Sequence, residues 1–377
     1  MNKKPLGIYL HIPFCIRKCN YCDFCSFPDA SGDIIDSYVS ELIRRIISFS
    51  TLNGKRSADT IYFGGGTPTL MSSENFERIL NALHNSFDVS ADAEITVECN
   101  PASIDAAGLR ELRKMGINRL SIGLQSANDN ELLALGRLHS FEDFCNTFFE
   151  ARNAGFENIS ADLMYSIPLQ TRQSFEKSLS ALSSLEPEHI SAYGLKIEEG
   201  TVFFHNRDTL ALPDEDADAE LYMLCCDFLK NSGYNRYEIS NFAKAGKESR
   251  HNLKYWNLED YIGFGVAAHS CFDSERFGNS RDIKAFLRGE DITSERQKIS
   301  TDEFISEYVM LGLRLACGIN KNEFFSIAKK DFIEMYPMVK RYISAGFMTE
   351  DNEKIAFTTK GFLVSNTILS EMLIFDN

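Results

Sequence analysis

The strongest constraint on this chain is the run Cys15-Ile16-Arg17-Lys18-Cys19-Asn20-Tyr21-Cys22. Its cysteines stand at C-x₃-C-x₂-C spacing, directly after the strand-like stretch Ile8-Tyr9-Leu10-His11-Ile12. Thiolates are soft ligands that suit iron–sulfur clusters. Three close thiolates can hold three irons of a 4Fe–4S cube and leave the fourth open, as a catalytic zinc site keeps a position for its substrate. Two other readings stay open. The thiols could be buried or could bind zinc, with Cys25 or His11 as fourth ligand. Cys22-Asp23-Phe24-Cys25 also spells C-x-x-C, a redox-pair spacing. Ser26 stands where a c-type haem site needs histidine. A fourth cluster ligand from Cys25 would close the open iron, so Cys25 is read as a bystander.

Composition narrows the class. A chain of 377 residues with 44% apolar residues and 29 Phe can bury a large core and hold more than one domain. The net charge of −15, with lysine and arginine dispersed, speaks against general nucleic-acid binding. No apolar stretch is long enough to span a bilayer, and the cysteine motif follows Met1–Pro5 so closely that little could be cleaved as a signal peptide. Ten cysteines without a secretion signal read as reduced thiols and metal ligands of a cytoplasmic protein.

As far as about residue 200 the pattern repeats as strand, Gly- or Pro-containing loop, helix. Strands are expected at 7–13, 60–63, 94–98, 119–124, 158–165 and 189–195, as apolar runs of parallel strands buried on both faces. Helices are expected at 34–49, 74–87, 104–115, 131–135, 141–154 and 171–185, with Ser72 or Ser73 at one start and Gly116 and Gly155 after two ends. Six βα units predict an α/β fold, a partial (β/α)₆ barrel whose chemistry lies on the loops after the strands.

The motifs fall on those loops. Strand two ends in Gly64-Gly65-Gly66-Thr67-Pro68-Thr69, where the backbone can approach a ligand closely or simply turn tightly. Glu98 ends strand three and suits a hydrogen bond to a hydroxyl or amino group. Gln125, ending strand four, both donates and accepts; Arg137 offers a forked donor for a carboxylate. Asp162 lies inside an apolar strand and must find a partner, a ligand or an internal cation. Further on, His251-Asn252-Leu253-Lys254-Tyr255-Trp256 places an imidazole beside aromatic rings, which suits a flat macrocycle with an axial iron ligand. A satisfied, half-buried histidine would give the same pattern.

The cysteine spacing, with aromatic Tyr21 before the third cysteine, resembles the radical S-adenosylmethionine (SAM) superfamily, in which SAM chelates the open iron. GGGTPT resembles the oxygen-independent coproporphyrinogen oxidase branch. That resemblance implies Tyr9, Gly65 and Glu98 around the cluster-bound SAM, and Tyr21, Gly66, Thr67, Gln125, Arg137 and Asp162 around a second SAM-sized position. H-N-x-x-Y-W, with EISNFA before it and GFGVAAHS after it, resembles the HemW-type haem chaperones of the same branch, in which this segment is associated with haem; it implies haem contacts from His251, Asn252, Tyr255 and Trp256. Two departures from the oxidase favour the chaperones: the cluster motif begins almost at the N-terminus, and Phe24 stands where the oxidase has a fourth cysteine.

The resulting expectation has residues 1–205 as the barrel with cluster and SAM sites, 206–295 as a connecting region with the haem motif, and 296–377 as a mostly helical, winged-helix-like domain. In that last part helices are expected at 301–315, 321–328, 337–345 and 361–373, with Thr301 as a cap, and a two-stranded wing at 346–349 and 354–357. The domain is not basic, so a lid or docking role is expected rather than DNA binding. The function implied is that of a cytoplasmic haem chaperone holding haem and a SAM-liganded 4Fe–4S cluster. It would hand haem to acceptor haem proteins such as respiratory enzymes, touch membranes only transiently, and form a homodimer. The alternatives are coproporphyrinogen III decarboxylation, which would make the chain an enzyme, and another radical SAM reaction on a tetrapyrrole.

Overall fold

The computed structural model describes residues 4–28 and 30–373; Met1, Asn2 and Lys3 of the N-terminal segment lie outside the described residues, as do 29 and 374–377. The six expected strands are present: β1 Leu6–Ile12, β2 Arg56–Gly65, β3 Phe87–Cys99, β4 Arg119–Gln125, β5 Ile159–Tyr165 and β6 His189–Gly194. Each is parallel to the next, in sequence order and without reversal, which is the arrangement of an opened (β/α) barrel. The intervening helices are α1 Gly32–Asn53, α2 Ser73–Ser86, α3 Ala106–Lys114, α4 Asp129–Leu135, α5 Phe141–Asn153 and α6 Arg172–Ser183. Local chemistry starts and stops them. Ser72 accepts from the Asn75 amide at the head of α2, and Gly116 and Gly155 take positive φ just past α3 and α5.

The sheet is wider than six strands. The later segments β7 Asn235–Arg236 and β8 Asn241–Ala243 extend it beyond β6, and β9 Tyr261–Phe264, β10 His269–Phe272, β11 Glu275–Asn279 and β12 Thr293–Lys298 extend it beyond β1. Strand β9 pairs in parallel with β1, and the remaining additions are antiparallel. These flanking strands were not expected, because they are short and lack a helix-alternating pattern. Helices α7 Glu215–Asn231 and α8 Arg250–Trp256 belong to the same stretch.

The barrel strands also differ from the expected doubly apolar runs. Side chains alternate faces along a strand. Leu120, Ile122 and Leu124 lie in the core, whereas Arg119, Ser121, Gly123 and Gln125 line the barrel interior. Glu98 of β3, Asp162 of β5 and Ser191 of β6 line it too. Only the outer face is oily, because the inner face surrounds a cavity rather than a packed core.

Residues 301–372 form helices around a small three-stranded sheet, Ile319–Asn320 pairing with Lys354–Phe357, which pairs in turn with Met348–Glu350. The first helix of this part is capped by Ser300, not Thr301: Ser300 and Glu303 form a reciprocal capping box. The expected last helix is two, Thr359–Leu363 and Ser365–Met372, broken at Val364.

Candidate functional site

The loop after β1 is fixed at both ends. The Phe27 amide donates to the Pro13 carbonyl at 2.7 Å, and the Asn20 amide donates to Leu135 at the end of α4 at 3.0 Å. Between these anchors Cys15, Cys19 and Cys22 are half-buried and point into one cavity of about 320 Å³. Among the described residues no three His, Cys, Asp or Glu side chains converge closely enough for a single ion. A cube whose irons each take their own cysteine does not demand such convergence. Burial pushes the Cys22 thiol up to about 11 and raises Cys15 as well. Donors face the sulfurs: Thr67 Oγ1 lies 3.6 Å from Cys15 Sγ, Arg137 Nη1 lies 3.6 Å from Cys19 Sγ, and the Phe24 amide faces Cys22. Cys25 is buried and lines a neighbouring cavity instead.

The glycines of the second loop are required by close approach. A side chain on Gly65 (φ +109°) would collide with the His11 ring, and one on Gly66 would sit 2.5 Å from the Phe14 carbonyl. The Gly66 and Thr67 amides donate to Ile12 and Phe14 at 2.9 and 2.7 Å, so this loop is stitched to the cysteine loop. Thr67 stands just behind the cavity wall, its hydroxyl accepting from Asn100 at 2.6 Å.

Glu98 accepts from the Gly65 amide at 2.9 Å and from the Tyr62 hydroxyl at 3.0 Å. Burial is the main reason its carboxyl is pushed up to about 7, with Asp162 adding repulsion. Asp162 is likewise raised by burial and accepts from Ser121 at 3.2 Å. Arg137 donates to Asn100 at 2.6 Å and to the Gly123 carbonyl at 2.9 Å, while its buried Nε has no partner. Gln125 takes a left-handed conformation (φ +69°) at a register shift between β4 and β5. Strain of this kind concentrates at ligand sites.

Of the residues singled out from sequence, Cys15, Cys19, Cys22, Tyr21, Gly65, Gly66, Glu98, Gln125, Arg137, Asp162 and Asn252 share the one cavity. Tyr9 and Tyr255 line the neighbouring cavity with Cys25, and the Tyr9 hydroxyl donates to His11 Nδ1 at 3.0 Å. His251 is enclosed, at 1% exposure. Its Nδ1 is 2.8 Å from Thr60 Oγ1, its Nε2 is 2.7 Å from the Tyr255 hydroxyl, and its ring stacks on Tyr62 with centroids 5.2 Å apart. Burial pushes it down to about 3, so it is neutral. Trp256, ending α8, is half-buried. Sequence reading missed Tyr62, Asn100, Arg119, Ser121, Ser191 and Tyr193 of the cavity wall. The signal was present for the strand residues, as polar side chains at every second position of β4 and β6.

The profile of the Radical SAM superfamily matches residues 9–182, and that of the HemN C-terminal domain matches 299–364. The Heme chaperone HemW of Bacillus subtilis is 35% identical over 97% of this chain and 98% of its own length. The HemW of Escherichia coli is 33% identical over 98% of both chains. The solved coproporphyrinogen III oxidase (HemN) of Escherichia coli superposes with a TM-score of 0.87 at 24% identity, covering 99% of this chain and 91% of that one, which establishes the shared fold. With end-to-end identity of this order, the chain belongs to the HemW family, a haem-related branch of the radical SAM superfamily.

Proposed function

We propose that the protein is a haem chaperone that carries a SAM-liganded 4Fe–4S cluster and passes haem to acceptor haem proteins, respiratory enzymes among them. The observation that carries this reading is that the cysteine triad and Asn252 of the haem-associated segment line one cavity. The donor set fits an anionic cluster on Cys15, Cys19 and Cys22, because Thr67 and Arg137 aim donors at two of the three sulfurs. When bound, a reduced cluster of this type supplies an electron to the sulfonium of SAM.

The protein's own residues would hold and screen that chemistry. Tyr9, Gly65 and Glu98 are assigned to the cluster-bound SAM. Tyr21, Gly66, Thr67, Gln125, Arg137 and Asp162 are assigned to a second position of similar size. An ionised Glu98 would favour a cationic ligand. His251, Asn252, Tyr255 and Trp256 are assigned to haem. Asn252 already faces the cavity, whereas His251 must give up Tyr255 before its Nε2 can reach an iron. We divide the chain accordingly into 1–205 for cluster and SAM, 206–295 for haem, and 296–377 as a docking or lid domain. Cytoplasmic residence, transient membrane contact and a homodimer complete the reading; no described helix is long and apolar enough to cross a membrane.

Anaerobic titration of the cluster-loaded protein with haem, followed by incubation with SAM, reductant and coproporphyrinogen III, tests the proposal. Stoichiometric haem binding without a vinyl-bearing product is expected. Vinyl product with poor haem affinity would overturn it in favour of the decarboxylase. Ring-opened product from bound haem would instead point to haem degradation.

A further inference from the structure

We propose that the floor of the central cavity is a carboxylate-binding subsite organised by Arg119. Arg119 opens β4 and is only 1% exposed, yet its side chain lines the cavity. Its Nε is sealed from solvent without a hydrogen bond. Among the described residues no carboxylate stands within ion-pair distance of it.

Lys254, the other lysine or arginine among the described residues that is buried to this degree, is treated differently. At 4% exposure it reaches Asp59 at 2.8 Å and Glu259 at 3.1 Å. Arg152 reaches Glu188 at 2.8 Å. A guanidinium cannot shed its proton, so burial leaves Arg119 with a full charge in a medium that solvates it poorly. The carboxyls on the same wall do not settle it. Asp162 is engaged by Ser121, and Glu98 by Tyr62 and the Gly65 amide; against burial, which raises both carboxyls, the Arg119 charge lowers them from a distance without forming an ion pair with either. What is missing is an anion with planar, two-oxygen geometry, which the guanidinium fork prefers.

Position selects which part of a ligand would reach it. Arg119 and Gln125 are the first and last residues of β4, about 20 Å apart along the strand. Gln125 lies at the end of the cavity shared with the cysteine triad, so Arg119 marks the far end. Ser121, two residues further along the same strand face, is the next polar group lining the cavity above Arg119. A ligand reaching down from the cluster end would place a carboxylate on Arg119. Two ligands of the proposed function carry one that is free to reach it: haem, through its propionates, and a SAM in the second position, through its methionine carboxylate, since a cluster-bound SAM spends its own on the iron.

This inference rests on reading the cavity as a ligand site, and the experiment separates the two. Wild type, Arg119→Met and Arg119→Lys are compared by titrating the cluster-loaded proteins with haem, haem dimethyl ester and SAM, and by melting the ligand-free proteins. Arg119→Met should weaken haem or SAM at least tenfold, and Arg119→Lys should recover part of the loss. If haem is the source, wild type and Arg119→Met should bind the dimethyl ester equally; if SAM is the source, haem should be unaffected. Ligand-free Arg119→Met should melt no lower than wild type, because an uncompensated buried charge has been removed. Unchanged binding of both haem and SAM would overturn the subsite. So would a clearly lower melting temperature, which would mean that the guanidinium is already compensated within the protein. Failure of wild type to bind haem would overturn the chaperone reading alone and leave SAM to decide the subsite; failure to bind either would overturn both.

Discussion

The two most specific motifs of this chain are physically opposite. The Cys15–Cys22 loop is half-open, with its sulfurs facing a cavity and met by donors such as Thr67 and Arg137. Helix α8 has spent its polar groups inward. His251 is bonded through both ring nitrogens, Glu94 accepts from the Arg250 and His251 amides, and Lys254 is held by Asp59, Glu259 and the Pro5 carbonyl. One motif is poised for a ligand; the other is committed to structure and must rearrange to bind one. A motif names a chemistry, but only its unsatisfied groups are free to perform it.

The contrast can be broken most sharply at the triad. Replacing Cys15, Cys19 and Cys22 by Ala should abolish the brown absorbance of the reconstituted cluster, while Cys25→Ala should keep it. Loss of the cluster in Cys25→Ala would show that the neighbouring cavity contributes a ligand. At the other end, His251→Ala removes a buried ring and strands Thr60 and Tyr255, so it should cost about 3 kcal/mol in denaturant unfolding. Its effect on haem is read from the Soret band at a temperature where the variant stays folded. A lost band with unchanged stability would make His251 a ligand first and a structural residue second.

Glu98 sharpens the comparison through pH. Its folded pKa is raised from the usual 4.5 to about 7, chiefly by burial. A carboxyl of this kind binds its proton more tightly when folded, so its contribution to stability is fully present below pH 4.5 and is lost as pH rises through 7. Glu98→Gln should therefore gain stability over wild type at pH 8, by about 3 kcal/mol at most, and gain little at pH 4. SAM affinity of wild type should rise between pH 6 and 8 as the carboxylate forms, and the Gln variant should flatten that rise. A parallel slope in both proteins would remove Glu98 from the cofactor site. The smallest effect is expected at Ser300→Ala, which deletes one exposed cap and should cost about 1 kcal/mol in a melt.

Much of the fold was legible because the signals were local. The six barrel strands and the helices between them follow from apolar runs, caps and glycine stops; the observed ends differ by a few residues, except that β3 starts at Phe87, well before the expected 94. The flanking strands were not legible, since Tyr261–Phe264 and its neighbours become strands only by pairing with β1 and with each other. The single expected C-terminal helix hid a break at Val364, where no proline or glycine marks it. In the site, the cysteines, Glu98, Gln125, Arg137 and Asp162 could be nominated one by one from where they fall on the loops and strands. Arg119, Tyr62 and Ser191 were passed over, because they sit within runs that otherwise read as buried strand.

Sequence by itself determined which residue types are at hand: three thiols at a spacing expected of a cluster with an open iron, glycines beside them, and acids and an arginine at strand ends. These are properties of residue type and short separation, and they survive without a fold. Only the tertiary structure decided which groups remain unsatisfied. Whether an imidazole is free or shared, whether a guanidinium meets a carboxylate, and whether a carboxyl keeps its proton depend on neighbours far away in the chain. Thr60 and His251 are 191 residues apart and 2.8 Å from each other. Burial and hydrogen bonding act across such distances, and they set which of the nominated residues can still take a ligand.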